Sequence, residues 1–133
     1  MNIFIGGSKS MGKLNPKAEK VLDRIIRNNH HILIGDCYGT DLAVQRFLSE
    51  RGYKNVTVYT ACTSARNNAG GWDERKIATE KTGFAAHRQK DIAMIKDCDF
   101  GIMIFDSKSK GTLANIKDLK TLSKKVVVFY ENI

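Results

Sequence analysis

The sequence predicts a single α/β domain of Rossmann-like type, with three layers in which helices cover a mainly parallel five-stranded sheet. Short apolar segments alternate with longer segments of helical periodicity, as expected for parallel strands joined by crossover helices. Three of the apolar segments also run directly into turns rich in glycine and hydroxyl side chains. At 133 residues the chain is long enough for one domain and too short for two. Residues 1–133 are therefore assigned to one domain.

The first half of the chain predicts three strands and two helices. A strand at residues 2–5 ends in Gly6-Gly7-Ser8. A helix follows from Pro16 to about residue 28, with Asn15 as its N-cap, and its apolar positions recur at helical spacing: Ala18, Val21, Leu22, Ile25 and Ile26. A strand at residues 32–34 leads through a Gly-Asp turn into a helix at residues 41–51, capped by Gly39 or Thr40. A third strand is expected at residues 55–59.

The second half begins with a long polar segment at residues 60–71. Segments of this kind are often binding loops, lids or mobile connections. Arg66 and Trp72 are placed to contact a ligand, although Trp72 is as well suited to packing the segment down. Helices are predicted at residues 72–81 and 85–96, and the second is expected to bury Ile92, Ala93 and Ile95. A strand at 100–105, a helix at 112–122 and a strand at 125–130 complete the chain.

Composition narrows the classes of function. Hydrophobic residues make up 42% and charged residues 27%, which is typical of a globular domain. No apolar run is long enough for a signal peptide or membrane span, so we expect a cytoplasmic location and no membrane partner. The three cysteines are odd in number and lack CxxC spacing, which predicts neither a disulfide framework nor a metal site. Cys37 lies near a helix N-terminus, but no histidine partner is assignable and catalysis by it is not expected.

The formal net charge of +8 favours anionic partners. A nucleotide, a nucleic acid and general solubility each account for it. The lysines are spread along the chain rather than gathered in one arm, which is typical of a solvated basic surface. Direct binding of nucleic acid is therefore an alternative that the sequence does not favour.

Three turns should meet at the carboxyl edge of the sheet, where open α/β sheets bind their ligands. They are residues 6–8, 35–41 and 106–112. Helix N-termini at the second and third turns favour an anion. The predicted ligand-binding residues are Gly7, Ser8, Gly35, Asp36, Gly39, Asp41, Asp106, Ser109, Gly111 and Thr112.

Within this predicted site, different groups suit different parts of a nucleotide. Ser109, Gly111 and Thr112 would hold the phosphate through backbone amides and hydroxyls, with Lys108 or Lys110 adding charge. Asp36 or Asp41 would accept hydrogen bonds from ribose hydroxyls. Asp41 has a second interpretation, in which it only places a favourable charge at the helix N-terminus.

The motifs at these turns resemble those of the SLOG superfamily. They are Gly6-Gly7-Ser8, Gly35-Asp36-x-x-Gly39-x-Asp41 followed by Leu42-Ala43, and the stretch from Asp99 through Gly111-Thr112. Their order is similar to that in the small YspA/YpsA-type proteins, which are related to the LONELY GUY phosphoribohydrolases and to DNA-processing protein A. The resemblance covers most of the chain and implies a nucleotide-derived ligand, with its phosphate near the Gly-Thr helix start. It also implies a homo-oligomer.

The sequence departs from the LONELY GUY enzymes at both catalytic positions. Their Gly-Gly-x-Gly-Thr-x-x-Glu motif ends in a catalytic glutamate, whereas Asn115 stands at that place here. A neutral amide cannot act as a general base. The Arg-Lys pair of the enzymes is replaced by Lys90 and Asp91 in an ungapped comparison. The sequence therefore predicts a sensor or carrier that binds its ligand without this chemistry and without a cofactor.

Two alternatives stay open, and no catalytic residue is assigned. One is a nucleotide N-glycosidase that uses another carboxylate, for which Glu74, Glu80 and Asp91 are the candidates. The other is a nucleic-acid-binding module, suggested by the basic charge and by the relationship to DNA-processing protein A.

Overall fold

The structure, a computed structural model, describes residues 1–130 of the chain; residues 131–133 of the predicted domain lie outside the described part. The strands are β1 (Asn2–Gly7), β2 (His31–Gly35), β3 (Val56–Thr60), β4 (Asp73–Lys76), β5 (Phe100–Phe105) and β6 (Lys125–Tyr130). The helices are α1 (Pro16–Arg27), α2 (Thr40–Glu50), α3 (Gly83–Asp97) and α4 (Lys110–Thr121). No helix in residues 1–130 is long and apolar enough to cross a membrane.

The six strands form one parallel sheet in the order β4-β3-β2-β1-β5-β6. Alternate residues of each strand face opposite sides, so the sheet has two apolar faces. On one face Ile5 and Ile34 pack with residues of α1 and α2. On the other, Phe4 and Met103 pack with residues of α3 and α4. The predicted Rossmann-like α/β fold is confirmed.

The predicted number of five strands was wrong, and so was the helix at residues 72–81. The additional strand is β4, which pairs with β3 from Thr57–Asp73 to Thr60–Lys76. Its four residues, Asp-Glu-Arg-Lys, are all exposed. A helix here would have no apolar face to bury, whereas an edge strand needs only backbone partners on one side.

The helix starts agree with the sequence to within two residues. Asn15 caps α1 by accepting a hydrogen bond of 2.8 Å from the Ala18 amide, with Pro16 at the first helical position. Gly39 is the N-cap of α2. The fourth helix starts at Lys110, because the Ser109 side chain accepts from the Thr112 amide and caps the helix there.

The buried face of α3 differs from the expected one. Ile95 is buried as predicted, but Ile92 and Ala93 are only half-buried. Ala86, Lys90 and Met94 occupy the inner face with Ile95. A lysine takes a core position on this helix because carboxylates surround its ammonium group, and these form part of the site described next.

Candidate functional site

Ser8 joins the three turns at the carboxyl edge of the sheet. Its amide donates to the Ile104 carbonyl over 2.9 Å, and its carbonyl accepts from the Thr40 hydroxyl over 2.9 Å. Its own hydroxyl accepts from the Asp106 amide at 3.1 Å. The turns after β1, β2 and β5 are therefore held together by one fully buried side chain and its backbone.

A cleft of about 580 Å³ opens beside these turns. It lies at the tips of neighbouring strands β1 and β5, whose following helices cover opposite faces of the sheet. This is the switch point at which open α/β sheets leave a crevice. The cleft is lined by Phe4, Gly6, Gly7, Lys9, Ser10, Cys37, Asp41, Gly83, Phe84, His87, Arg88, Lys90, Asp91, Met94, Asp106, Ser109, Lys110, Gly111, Thr112 and Asn115.

Six of the ten predicted site residues line this cleft: Gly7, Asp41, Asp106, Ser109, Gly111 and Thr112. The other four, Ser8, Gly35, Asp36 and Gly39, do not line it. Gly39 has a φ of +78°, and a Cβ there would lie 2.1 Å from the Lys9 carbonyl oxygen. A Cβ on Gly35 would meet an Asp41 carboxylate oxygen at 2.5 Å. Packing of the turns therefore accounts for both glycines.

The Asp36 carboxylate is fully buried and accepts hydrogen bonds from Arg66, Thr60 and Lys90. The Arg66 guanidinium donates to both carboxylate oxygens at 2.8 and 3.3 Å, and the Arg66 amide donates at 3.0 Å. The Thr60 hydroxyl donates at 2.7 Å. Burial by itself would raise the pKa of Asp36, but these bonds and the charge of Lys90 hold it well below its usual range. Asp36 is thus an ionised anchor for the segment after β3.

The segment between β3 and β4 is fixed to the body of the domain. The Gln45 amide group donates to the Asn67 carbonyl at 3.1 Å and accepts from the Ala69 amide at 2.9 Å. Trp72 is buried, and its indole N–H donates to the Tyr53 carbonyl at 2.8 Å. Trp72 therefore packs the segment against the domain, which is the second of the two roles considered for it. The Arg66 guanidinium is hydrogen-bonded to Asp36.

Lys90 brings a positive charge to the inner wall of the cleft. Its Nζ atom lies 3.4 Å from Asp36 Oδ1, 3.4 Å from Cys37 Sγ and 3.9 Å from Asp91 Oδ1. Burial by itself would lower the pKa of Lys90, but the charges of the nearby carboxylates raise it above its usual value. Lys90 is thus a buried, ionised group that sequence periodicity alone did not reveal.

Two carboxylates in the cleft hold protons more tightly than usual. Burial raises the pKa of Asp41 to about 6, although the charge of Lys90 opposes this shift. Burial also raises the pKa of Asp91, against the charge of Lys90 and a hydrogen bond from Asn115. Burial and the charge of Asp41 raise the pKa of the Cys37 thiol, so Cys37 is not an activated nucleophile.

Asn115 belongs to the same group of side chains as Asp91. Its Nδ2 donates to Asp91 Oδ2 at 3.2 Å, and its Oδ1 accepts from the Arg88 guanidinium. Arg88 also pairs with Asp118 of α4. Asn115, which stands where the LONELY GUY enzymes have their catalytic glutamate, is therefore hydrogen-bonded to Asp91 of α3.

Of the three carboxylates considered for catalysis, Asp91 lines the cleft and the other two do not. Glu74 lies on β4, where it accepts from the Asn68 side chain and the Ala65 amide. Glu80 is exposed between β4 and α3. No cluster of His, Cys, Asp and Glu side chains within residues 1–130 has an arrangement suited to a metal ion.

At the start of α4, Asp106 accepts hydrogen bonds from the turn that precedes the helix. The amides of Lys108 and Ser109 both donate to Asp106 Oδ1 at 2.8 Å, and the Ser10 hydroxyl donates to Asp106 Oδ2 at 2.7 Å. These hydrogen bonds hold the pKa of Asp106 well below its usual range. The amides of Lys110 and Gly111, in the first turn, have no acceptor within the helix. Both residues line the cleft, whereas Lys108 does not.

Comparison with known proteins supports the fold. No protein-family model matches the chain, and no curated protein matches it. Among solved structures, it is similar to DNA processing protein A from Helicobacter pylori, which was described for its single-stranded DNA binding mode. The TM-score is 0.72 at 13% sequence identity, and the match covers 100% of this chain and 66% of the other. At this identity the likeness shows a shared Rossmann-like fold.

Proposed function

We propose that this chain is a SLOG-type domain that binds a nucleotide or a nucleotide-derived phosphate ligand in the cleft, as a sensor or carrier. The observation that carries the proposal is the start of α4, where Lys110 and Gly111, the first two residues of the helix, line the switch-point cleft. Amides at a helix N-terminus and a nearby cation favour a phosphate group. Lys9, on the same cleft, adds a second cation.

The rest of the cleft suits a nucleoside. Phe84 is 63% exposed, and its ring lies near Gly111, where an added Cβ would sit 3.9 Å from a ring carbon. An exposed ring beside an anion site provides a surface on which a base can stack. Asp41 and Asp91 line the same cleft and offer acceptors for ribose hydroxyls.

A thermal-shift screen tests the proposal. The probes are nucleoside 5′-monophosphates, ribose 5-phosphate and inorganic phosphate. A ligand that binds only the folded state must raise the melting temperature. We expect stabilisation by one or more of the organic phosphates, loss of the shift in Lys110→Ala, and retention of the shift in the matched variant Lys117→Ala, which lies on the exposed side of the same helix. An unchanged melting temperature with every probe would refute the proposal.

A second candidate function is N-glycosidic cleavage of the bound nucleotide, and the position of Asp91 favours it. Asp91 lines the cleft, its carboxylate accepts a hydrogen bond from Asn115, and burial raises its pKa, the direction that suits a carboxyl group acting as a general acid. Release of free base from a nucleoside monophosphate, detected by chromatography and abolished in Asp91→Asn, is the expected result. Intact nucleotide after incubation with the wild-type protein would exclude this candidate.

Single-stranded nucleic acid is the other ligand to test in the same site. It is favoured by the fold shared with DNA processing protein A and by exposed aromatic rings at this edge, Tyr38 in the turn after β2 and Phe84. Such rings stack bases without sequence preference, while lysines contact phosphates. Affinity for an oligothymidylate should then fall steeply as salt increases. A response to salt that is flat, or no binding at low salt, removes this candidate.

A further inference from the structure

The two edges of the sheet carry opposite kinds of side chain. At one edge, β4 has four charged and exposed residues. Charged edge strands of this kind prevent pairing with other chains. At the other edge, β6 has the sequence Lys-Val-Val-Val-Phe-Tyr, and none of its six residues is buried. Val127 is 40% and Tyr130 is 59% exposed. Within residues 1–130 no further strand pairs with β6. An apolar edge of this length favours pairing with another strand.

The pattern of β6 complements itself. Two copies can pair their β6 strands antiparallel about a two-fold axis perpendicular to the sheet. In this arrangement, residues that lie opposite each other point to the same face of the sheet. With the axis at Val127, that residue faces its own counterpart, and Val126 faces Val128 of the second copy. Lys125 then faces Phe129 of the second copy, which places an ammonium group beside an aromatic ring.

The two faces of the extended sheet would match as well. Val126 and Val128 point towards the cluster of α3 and α4, and Phe129 points towards the cluster of α1 and α2. In a parallel arrangement, each Lys125 would lie beside another Lys125 and the like charges would repel. The charge of Lys125 therefore favours antiparallel pairing.

From this complementarity we propose that β6 is the interface between two copies of this chain, which pair their β6 strands in antiparallel register about Val127. The result is one continuous sheet of twelve strands, with β4 as the charged edge at both ends. The inference is independent of the cleft, which lies at the strand tips rather than along the outer edge.

Sedimentation velocity at high micromolar concentration tests the interface. The wild-type protein should sediment as a dimer, with about twice the monomer mass of 14.9 kDa. Val127→Lys should be a monomer because it places two ammonium groups face to face on the axis. The matched variants Val127→Thr and Asp73→Lys, the latter at the β4 edge, should remain dimers. Because Val127 is exposed, circular dichroism should show that each variant is folded.

A charge-complementation experiment tests the register. Val127→Lys and Val127→Glu should each be monomeric, and an equimolar mixture of the two should form a heterodimer, because residue 127 faces itself across the axis. A monomeric wild-type protein would overturn the proposal. So would a dimer that Val127→Lys leaves intact, since another surface would then hold the copies together. Two monomeric variants that fail to associate when mixed would overturn the register.

Discussion

Lys90 Nζ lies 3.4 Å from Asp36 Oδ1, and the two side chains are only 1% and 0% exposed. This pair connects α3 to the turn after β2, two elements that meet behind the cleft. Arg66 completes the arrangement from the segment after β3, so one carboxylate holds three parts of the chain. The inner wall of the cleft is therefore built from buried charges that depend on one another.

Replacing Asp36 with asparagine should destabilise the fold by about 3 kcal/mol, because removing one member of a buried ion pair leaves the other charges uncompensated. Urea unfolding monitored by circular dichroism measures this change. The control is Asp23→Asn, which breaks an exposed pair with Arg51 at 3.0 Å and should cost at most about 1 kcal/mol. Equal losses in the two variants would show that the buried pair has no special role.

The protonation of Asp41 predicts a pH dependence of stability. Its pKa rises from 3.8 to about 6 on folding, so the folded state binds this proton more tightly than the unfolded state. The contribution of Asp41 is therefore fully present below pH 3.8 and is lost as the pH rises towards 6. Asp41→Asn removes the titration, and its stability relative to wild type should increase by about 2 kcal/mol between pH 4 and pH 7.

Unfolding free energies of wild type and Asp41→Asn, measured in urea at several pH values, check this prediction. The difference between the two proteins reports the titration of Asp41 together with its effect on Lys90 and Cys37, whose pKa values its charge raises. A difference that stays constant over this range, or that changes in the opposite direction, contradicts a proton held by Asp41 in the fold.

Gly39 is predicted to be essential for packing. Gly39→Ala combines a φ of +78° with a Cβ placed 2.1 Å from the Lys9 carbonyl oxygen. Gly52 is the matched control, because its φ is +64° and an added Cβ there meets nothing within 4 Å. We expect Gly52→Ala to lose about 1 kcal/mol from backbone strain and Gly39→Ala to lose at least about 2 kcal/mol. Similar unfolding midpoints for the two variants would contradict the close contact between the turns.

Base stacking on Phe84 gives a prediction for ligand affinity. Phe84→Ala should weaken binding of a nucleoside monophosphate about 5- to 150-fold, since a base stacked on an aromatic ring is worth about 1 to 3 kcal/mol. Affinity for ribose 5-phosphate, which has no base, should not change. Isothermal titration calorimetry with both ligands separates these effects. A parallel loss of affinity for both would point to a disturbed cleft rather than to stacking.

The sequence was informative where local chemistry decides the structure. Asn15-Pro16 marks the start of α1, and the apolar segments before Gly6, Gly35 and Asp106 form three neighbouring strands. These features depend on residues close together in the chain. Convergence of the three turns follows from parallel pairing alone, because the carboxyl ends of parallel strands lie at one edge.

The features that the sequence did not reveal depend on contacts between residues that are distant in the chain. The charged strand β4 is held by backbone pairing with β3, and its side chains give no sign of this. The sequence around Lys90 does not indicate that it is buried, because its carboxylate partner Asp36 is distant in the chain. The sequence offered Asp36 or Asp41 as the ribose acceptor, and it did not show that Arg66, thirty residues after Asp36, donates to both carboxylate oxygens of Asp36.

The most direct test of the proposed function is an NMR titration of the ¹⁵N-labelled protein with the nucleotide that gives the largest thermal shift. We predict that the amide resonances of Lys110 and Gly111 move most, together with those of Phe84, as phosphate and base enter the cleft. Movement confined to the basic groove of α1 and Arg51, where Lys20, Arg24 and Arg27 lie, or no movement at saturating ligand, would contradict a nucleotide site at the start of α4.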